Sequence, residues 1–138
     1  MLSTYCAIQQ ALGDGSAMLY RYSGVRQEES TFLACAFWLV EAWAEMGETD
    51  QAEQAMQEIL TTLDGQGNVD IFNEMYDVRS QSWRGNMPQG LSHLALICAA
   101  QALSESQACA VEVRISAPHC PTVAESAGRR KQVLPPLY

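Results

Sequence analysis

The longest apolar stretch of the chain lies between residues 30 and 46. Every position from Phe32 to Val40 is apolar, and the whole stretch contains neither glycine nor proline. Its length exceeds that of an ordinary strand, so the pattern predicts an α-helix. Because a helix that is apolar on every side must be buried on every side, we expect it at the centre of the fold, with Trp38 and Trp43 in the core.

A second helix is predicted over residues 50–63, where apolar positions recur with helical spacing. Ala52, Met56 and Ile59 share one face, whereas the opposite face is polar. Gly47 ends the preceding helix. A buried helix joined by a short turn to a half-exposed one is an αα-hairpin with an inner and an outer member. Such hairpins are repeated both in α-solenoids and in (α/α) toroids.

Two further helices are predicted beside this pair, a short one over residues 2–12 and another over residues 88–103. Pro88 suits the first turn of the latter helix, where the missing N–H has no partner to lose. Residues 16–29 are predicted to form a loop, and residues 69–85 an irregular connection. The expected fold class is therefore all-α.

The chain changes character after residue 104, because four of its five prolines lie beyond that point. We therefore expect residues 1–104 to form the helical domain. Residues 105–138 are predicted to be an irregular tail, with one short strand over residues 110–115.

Charge and cysteine content restrict the function and the compartment. The net charge of −8 argues against binding to a nucleic-acid backbone, which requires basic patches. The five cysteines are odd in number and never spaced as CxxC, so neither a zinc site nor a disulfide framework is expected. The sequence shows no signal peptide and no apolar run of the roughly 18 residues that a membrane span needs. We expect a cytoplasmic protein with no membrane partner.

Three stretches of the chain carry a distinctive pattern of residues. The first joins LYRY at Leu19–Tyr22 to ESTFLACAFWL at Glu29–Leu39. The second is IFNEMYD at Ile71–Asp77, and the third is GNMPQGLSHLALI at Gly85–Ile97. In letters, order and spacing, these stretches resemble the C-terminal part of the catalytic domain of glycoside hydrolase family 15, which includes glucoamylases, glucodextranases and trehalases.

The resemblance implies an (α/α)6 barrel, of which this chain would form an incomplete segment. It also implies hydrolysis of an α-glucan, an oligosaccharide or a trehalose-like glucoside with inversion at the anomeric carbon. Inverting hydrolases use a carboxylic acid to protonate the leaving oxygen and a carboxylate, about 6.5–9.5 Å from it, to activate water. No cofactor and no metal is implied.

The resemblance also suggests site residues. Glu74 corresponds to the catalytic base, Arg21 to an arginine that contacts sugar hydroxyls, and Glu29 to a further substrate-binding residue. Trp83, in a predicted loop, is a candidate platform for stacking on a sugar. Each has an ordinary structural alternative: a solvated carboxylate for Glu74, a surface arginine for Arg21, and a helix N-terminal acid for Glu29. We expect His93, a lone histidine in a helix, to be structural.

The chain departs from the family pattern in two ways. Ser30 replaces a common glycine, and Asn73 and Met75 flank Glu74 where serine and glutamate or glutamine are usual. In addition, the catalytic acid of the family lies upstream of the stretches matched here. The resemblance therefore predicts a base without its acid, and an isolated chain without hydrolytic activity.

Two functions of different classes follow. The first is a glucoamylase-type hydrolase segment that becomes active when a second chain supplies the acid. The second is a non-catalytic module, either a tetratricopeptide-like interaction module or a glucan-binding remnant. The tetratricopeptide period of about 34 residues is not repeated in the chain, which counts against that alternative. Because an open ring leaves apolar helix faces uncovered, we also expect self-association or a partner chain that completes the barrel.

Overall fold

The structure is a computed structural model that describes residues 2–25, 28–64 and 71–116, with only the backbone described at Leu2 and at residues 113–116. This part of the chain is mostly helical and includes a small antiparallel sheet. The elements in chain order are α1 Leu2–Leu12, β1 Thr31–Phe32, α2 Leu33–Glu45, α3 Thr49–Leu63, β2 Met75–Asp77, β3 Ser82–Arg84 and α4 Gly90–Ser116.

Helix α2 is the centre of the core and packs against both α3 and α4. Leu33, Phe37 and Val40 are fully buried, as the apolar pattern predicts. Trp43 is also buried, and its ring lies 3.8 Å from the ring of Tyr5 on α1, measured between centroids. The expectation that every side of α2 is buried is wrong at Trp38, which is 45% exposed because the described elements that pack against α2 do not cover it.

Helix α3 is amphipathic, as its spacing of apolar residues predicts. Its buried face comprises Ala52, Ala55, Met56, Ile59 and Leu63. Complete burial of the Ile59 side chain alone contributes on the order of 1.5–3 kcal/mol. The connection from α2 contains Gly47 at φ 77°, a left-handed conformation that glycine adopts without steric cost.

Helix α4 differs most from its prediction. It begins at Gly90 rather than at Pro88 and extends to Ser116, well past residue 103. The strand expected over residues 110–115 is therefore wrong, and residues 105–116 are helical rather than irregular. No glycine or proline interrupts the sequence between Gly90 and residue 116, so nothing local ends the helix. The rest of the expected tail, residues 117–138, lies outside the described part of the chain.

One side of α4 packs in the core and the other faces solvent. Ala95, Ala99 and Ala102 are buried, whereas Leu94 and Ile97 are 61% and 60% exposed. By length and composition alone, the stretch Gly90–Glu112 could cross a membrane, which the sequence analysis did not anticipate. Only 11% of the apolar window within this stretch is buried, and that buried part includes the alanine face of α4.

The three short strands form a sheet in the order β1-β2-β3, antiparallel throughout. Thr31 is paired with Tyr76, and Tyr76 is paired with Trp83. The buried Thr31 Oγ1 donates a hydrogen bond of 2.6 Å to the carbonyl of Tyr76. Residues 71–85 were expected to be irregular, and the sheet corrects that expectation, whereas residues 69–70 lie outside the described residues. The mostly helical structure is consistent with the expected all-α class, to which it adds this small sheet. The arrangement of the helices as hairpins of a barrel stays a prediction.

Candidate functional site

Three chain segments that are distant in sequence meet beside the N-terminal end of α2. Arg21 follows a buried stretch in which the carbonyl of Leu19 accepts a hydrogen bond of 2.7 Å from the amide of Phe32. Glu29 lies just before β1, and Glu74 lies just before β2. The amide of Leu33, the first residue of α2, donates to the carbonyl of Glu74 at 3.2 Å. Backbone hydrogen bonds therefore fix the relative positions of all three segments.

The side chains of these segments form a cluster of charges. Arg21 Nη2 lies 3.2 Å from Glu29 Oε1, and Arg21 Nη1 lies 3.5 Å from Glu74 Oε1. The side chains of Arg21, Glu29 and Glu74 are 33%, 29% and 16% exposed. Salt bridges this open to water contribute at most about 1 kcal/mol each to stability. The cluster is thus open to solvent, and a polar ligand can reach it.

The guanidinium of Arg21 lies close to two aromatic rings. Its central carbon is 5.2 Å from the ring centroid of Tyr22 and 5.2 Å from that of Phe32, both within cation–π range. Burial by itself lowers the pKa of Arg21, but the hydrogen bond and charge of Glu29, together with the charge of Glu74, outweigh it and raise the pKa. Arg21 Nε is buried, and no hydrogen-bond partner for it exists within the described residues. The arginine is therefore held as a cation with donor capacity left over.

Glu74 is held by the turn that follows β3. Its Oε2 accepts hydrogen bonds from the Asn86 amide at 3.3 Å and from Asn86 Nδ2 at 3.1 Å. The Glu74 amide in turn donates to the Asn86 carbonyl at 3.0 Å. Sequence reasoning offered Asn86 only as a cap for the helix predicted to begin at Pro88, not as a site residue. Its position in the Gly85-Asn86-Met87-Pro88 stretch was the available signal, but only the fold shows that this stretch lies against Glu74.

Trp83 lies on β3 and packs toward the core rather than in an open loop. Its ring centroid is 5.3 Å from that of Tyr76 and 6.1 Å from that of Phe72. The side chain is half-buried, and its Nε1 is a buried donor that has no partner in the described part of the chain. The structure therefore brings Arg21, Glu29 and Glu74 together, whereas the ring of Trp83 contacts other aromatic side chains.

His93 occupies a structural position on the first turn of α4. Its Nε2 accepts a hydrogen bond of 3.2 Å from the amide of Phe72, and its Nδ1 lies 2.8 Å from the carbonyl of Gln89. A nitrogen that accepts a hydrogen bond carries no proton, so the proton of the neutral imidazole is on Nδ1. The neighbouring Ser92 donates to the carbonyl of Asn73 at 3.0 Å. Helix α4 thus holds the segment that leads to Glu74.

A cleft of about 470 Å³ touches the charge cluster through Glu29, whereas Arg21 and Glu74 do not line it. Glu29 and Gly85 form the part of its wall nearest the cluster, and Asp77 and Arg84 form another part. Ser80 and Arg79 donate hydrogen bonds to the carboxylate of Asp77, and they keep its pKa below the usual value. The walls therefore offer both donors and acceptors, which is the chemistry that sugar hydroxyls require.

No family model matches the chain, and no solved structure matches it. Curated proteins with similar sequences exist, and each similarity covers only part of this chain. Trehalase of Mycobacterium tuberculosis is 37% identical over 88 residues, which are 61% of this chain and 12% of the relative. Trehalase of Mycolicibacterium smegmatis is 35% identical over 88 residues, again 61% of this chain and 13% of the relative.

A third relative extends the match along the chain. Trehalase of Thermoplasma volcanium is 30% identical over 108 residues, which are 76% of this chain and 17% of the relative. The chain thus spans between about an eighth and a sixth of the length of these curated relatives. At a coarse level, these partial similarities suggest a glycosidase-like family.

Proposed function

We propose that the cluster of Arg21, Glu29 and Glu74 is the general-base half of a glycoside hydrolase site that acts on trehalose or a related α-glucoside. The convergence of these three side chains carries the proposal, because they come from separate segments and one of them, Glu29, also lines an open cleft. The similarity to trehalases supports the same chemistry independently. In this proposal Glu74 activates water, and Arg21 binds hydroxyls of the sugar.

The arrangement suits these roles. Glu74 is partly shielded from solvent at 16% exposure, and Arg21 Nη1 lies 3.5 Å from its Oε1. The contacts of Arg21 with the rings of Tyr22 and Phe32 limit its motion, so its planar fork of donors is oriented before a sugar arrives. Glu29 pairs with Arg21 and completes this orientation.

The proposal also includes inversion at the anomeric carbon and a catalytic acid that another segment or chain supplies. An inverting reaction needs a carboxylic acid opposite the base, and that acid would come from another segment or chain that completes an (α/α)6 barrel. The exposed apolar side chains of Trp38, Leu94 and Ile97 lie on α2 and α4, where further helices would cover them. Removal of a general acid or base lowers a rate about 10²- to 10⁴-fold, so the isolated chain is expected to be nearly inactive.

The test is release of glucose from trehalose and maltose by the protein assembled with the segment or chain that supplies the acid, with Glu74→Gln as the variant. Glutamine keeps the shape of the side chain and removes its basicity. Glu53→Gln, on the exposed face of α3, is the matched control for loss of one charge. We expect glucose release to fall at least about 100-fold in Glu74→Gln and to be unchanged in Glu53→Gln.

Two results would contradict the hydrolase proposal. One is glucose release that persists in Glu74→Gln, which would remove Glu74 from the role of base. The other is a folded protein that binds trehalose in the cleft yet releases no glucose with any partner segment, which would make the chain a glucan-binding remnant.

A further inference from the structure

The two oxygens of the Glu74 carboxylate have different surroundings. Oε2 accepts two hydrogen bonds from Asn86, one from the backbone amide and one from Nδ2. Oε1 faces Arg21 Nη1 at 3.5 Å. An ionised carboxylate oxygen has two lone pairs, so the two donors of Asn86 occupy the lone pairs of Oε2. Because an anionic oxygen requires a donor, the Nδ2 side of the Asn86 amide is the side that faces it.

Gly85 makes this close approach possible. Its φ is +73°, and a Cβ built at this position would lie 2.8 Å from both Glu74 Cβ and Glu74 Oε2. A residue with a side chain would therefore push either Glu74 or the Asn86 turn out of place. Together, Gly85 and Asn86 form a turn that is shaped to fit one side of the Glu74 carboxylate.

We propose that Asn86 is a positioning residue that holds Glu74 by Oε2 and leaves Oε1 as the oxygen that receives the proton from the attacking water. This inference rests on the proposed function of Glu74 as a base. In the reaction, a lone pair of the water oxygen forms the bond to the anomeric carbon, and the water proton passes to Oε1. The electron pair of the glycosidic bond goes to the leaving oxygen, which takes its proton from a carboxylic acid supplied by another segment or chain.

The first experiment tests the positioning without any need for catalysis. The side-chain amide resonances of Asn86 are followed by NMR during a pH titration of the full chain and of Glu74→Gln. We expect one Asn86 Nδ2 proton to shift as Glu74 ionises, and we expect that shift to be missing in Glu74→Gln. An Asn86 resonance that titrates identically in both folded proteins, or in neither, would overturn the proposal.

The second experiment tests the consequence for the reaction in the assembled protein that releases glucose from trehalose. Asn86→Ala removes the Nδ2 donor without adding a charge, and Asn86→Ser keeps a short side-chain donor. We expect Asn86→Ala to lower kcat about tenfold or more with KM changed by less than about twofold, and Asn86→Ser to recover part of the loss. A rise in KM at unchanged kcat would overturn the assignment. Absence of glucose release in the wild type would instead refute the proposed function, while the NMR result still decides the positioning.

Discussion

Alanine substitutions at Gly85 and at Gly47 allow two destabilising effects to be separated. Both positions share the cost of a left-handed backbone, whereas only Gly85 adds a steric conflict with a neighbouring side chain. Both glycines have positive φ values, +77° and +73°. An added Cβ meets nothing within 4 Å at Gly47, whereas at Gly85 it lies 2.8 Å from Glu74 Cβ and 3.2 Å from Met75 Cε. Alanine in the left-handed region costs about 1–2 kcal/mol at either position.

The steric conflict adds to that cost only at Gly85. Glu74 Cβ is attached to the backbone and cannot rotate away, so the β2 segment or the Asn86 turn must shift. Overpacking of this kind costs about 1–3 kcal/mol. We therefore expect Gly47→Ala to lower the free energy of unfolding by about 1–2 kcal/mol and Gly85→Ala by about 2–5 kcal/mol.

The assay is urea unfolding of both variants, followed by tryptophan fluorescence, since Trp83 lies beside the affected turn and Trp43 lies in the core. Comparison of the two variants cancels the backbone cost and leaves the contact with Glu74. Equal losses of stability would refute the reasoning, because they would mean that the turn does not lie against Glu74 as closely as described.

Two further predictions concern the sheet and the exposed helix faces. Asp77→Asn should lower the free energy of unfolding by about 1 kcal/mol at pH 7, because hydrogen bonds from Ser80 and Arg79 lower the pKa of Asp77 in the folded state. That stabilisation is present above the ordinary carboxyl pKa of 3.8 and is lost as the pH falls through the lower pKa of the folded state. The difference in unfolding free energy between wild type and Asp77→Asn, measured by urea titration, should therefore shrink below about pH 4. A difference that stays constant with pH would contradict this prediction. The double variant Leu94→Lys and Ile97→Lys should abolish the self-association of the chain, measured by analytical ultracentrifugation, without loss of helix content by circular dichroism. A wild-type chain that is monomeric at all concentrations would contradict this expectation.

The sequence predicts the helices well where local patterns dominate. The apolar run of α2 and the one-sided spacing of α3 determine where each helix lies, because burial of these faces is the main stabilising term. Gly47 marks the connection between them for a purely local reason. The exposure of Trp38 could not be predicted, since it depends on which neighbours pack against α2 and not on the composition of α2 itself.

The strands and the end of α4 illustrate what local patterns miss. Strands β1 and β2 are only two and three residues long, and their pairing joins segments that are 45 residues apart between Thr31 and Tyr76. Such pairing leaves little periodicity in the sequence. The β-branched residues near residue 111 favour a strand locally, but without a pairing partner the uninterrupted helix continues.

The candidate site could be predicted from the family resemblance but not from the residue pattern alone. Nothing in the spacing of Arg21, Glu29 and Glu74 indicates that they meet, because the contacts depend on the sheet and on the buried stretch before Arg21. Trp83 looked like an exposed platform because its strand was not predicted. Asn86 was missed as a site residue for a related reason, since its contact with Glu74 depends on the fold of the turn after β3.

The most direct test of the central claim is titration of the full chain with trehalose, followed by backbone amide NMR. It requires neither the acid nor turnover. We predict saturable shifts at Arg21, Glu29, Glu74 and Asn86, and their loss in Arg21→Ala. Saturable shifts confined to other parts of the chain, or no shifts in a folded sample, would contradict a saccharide site at this cluster.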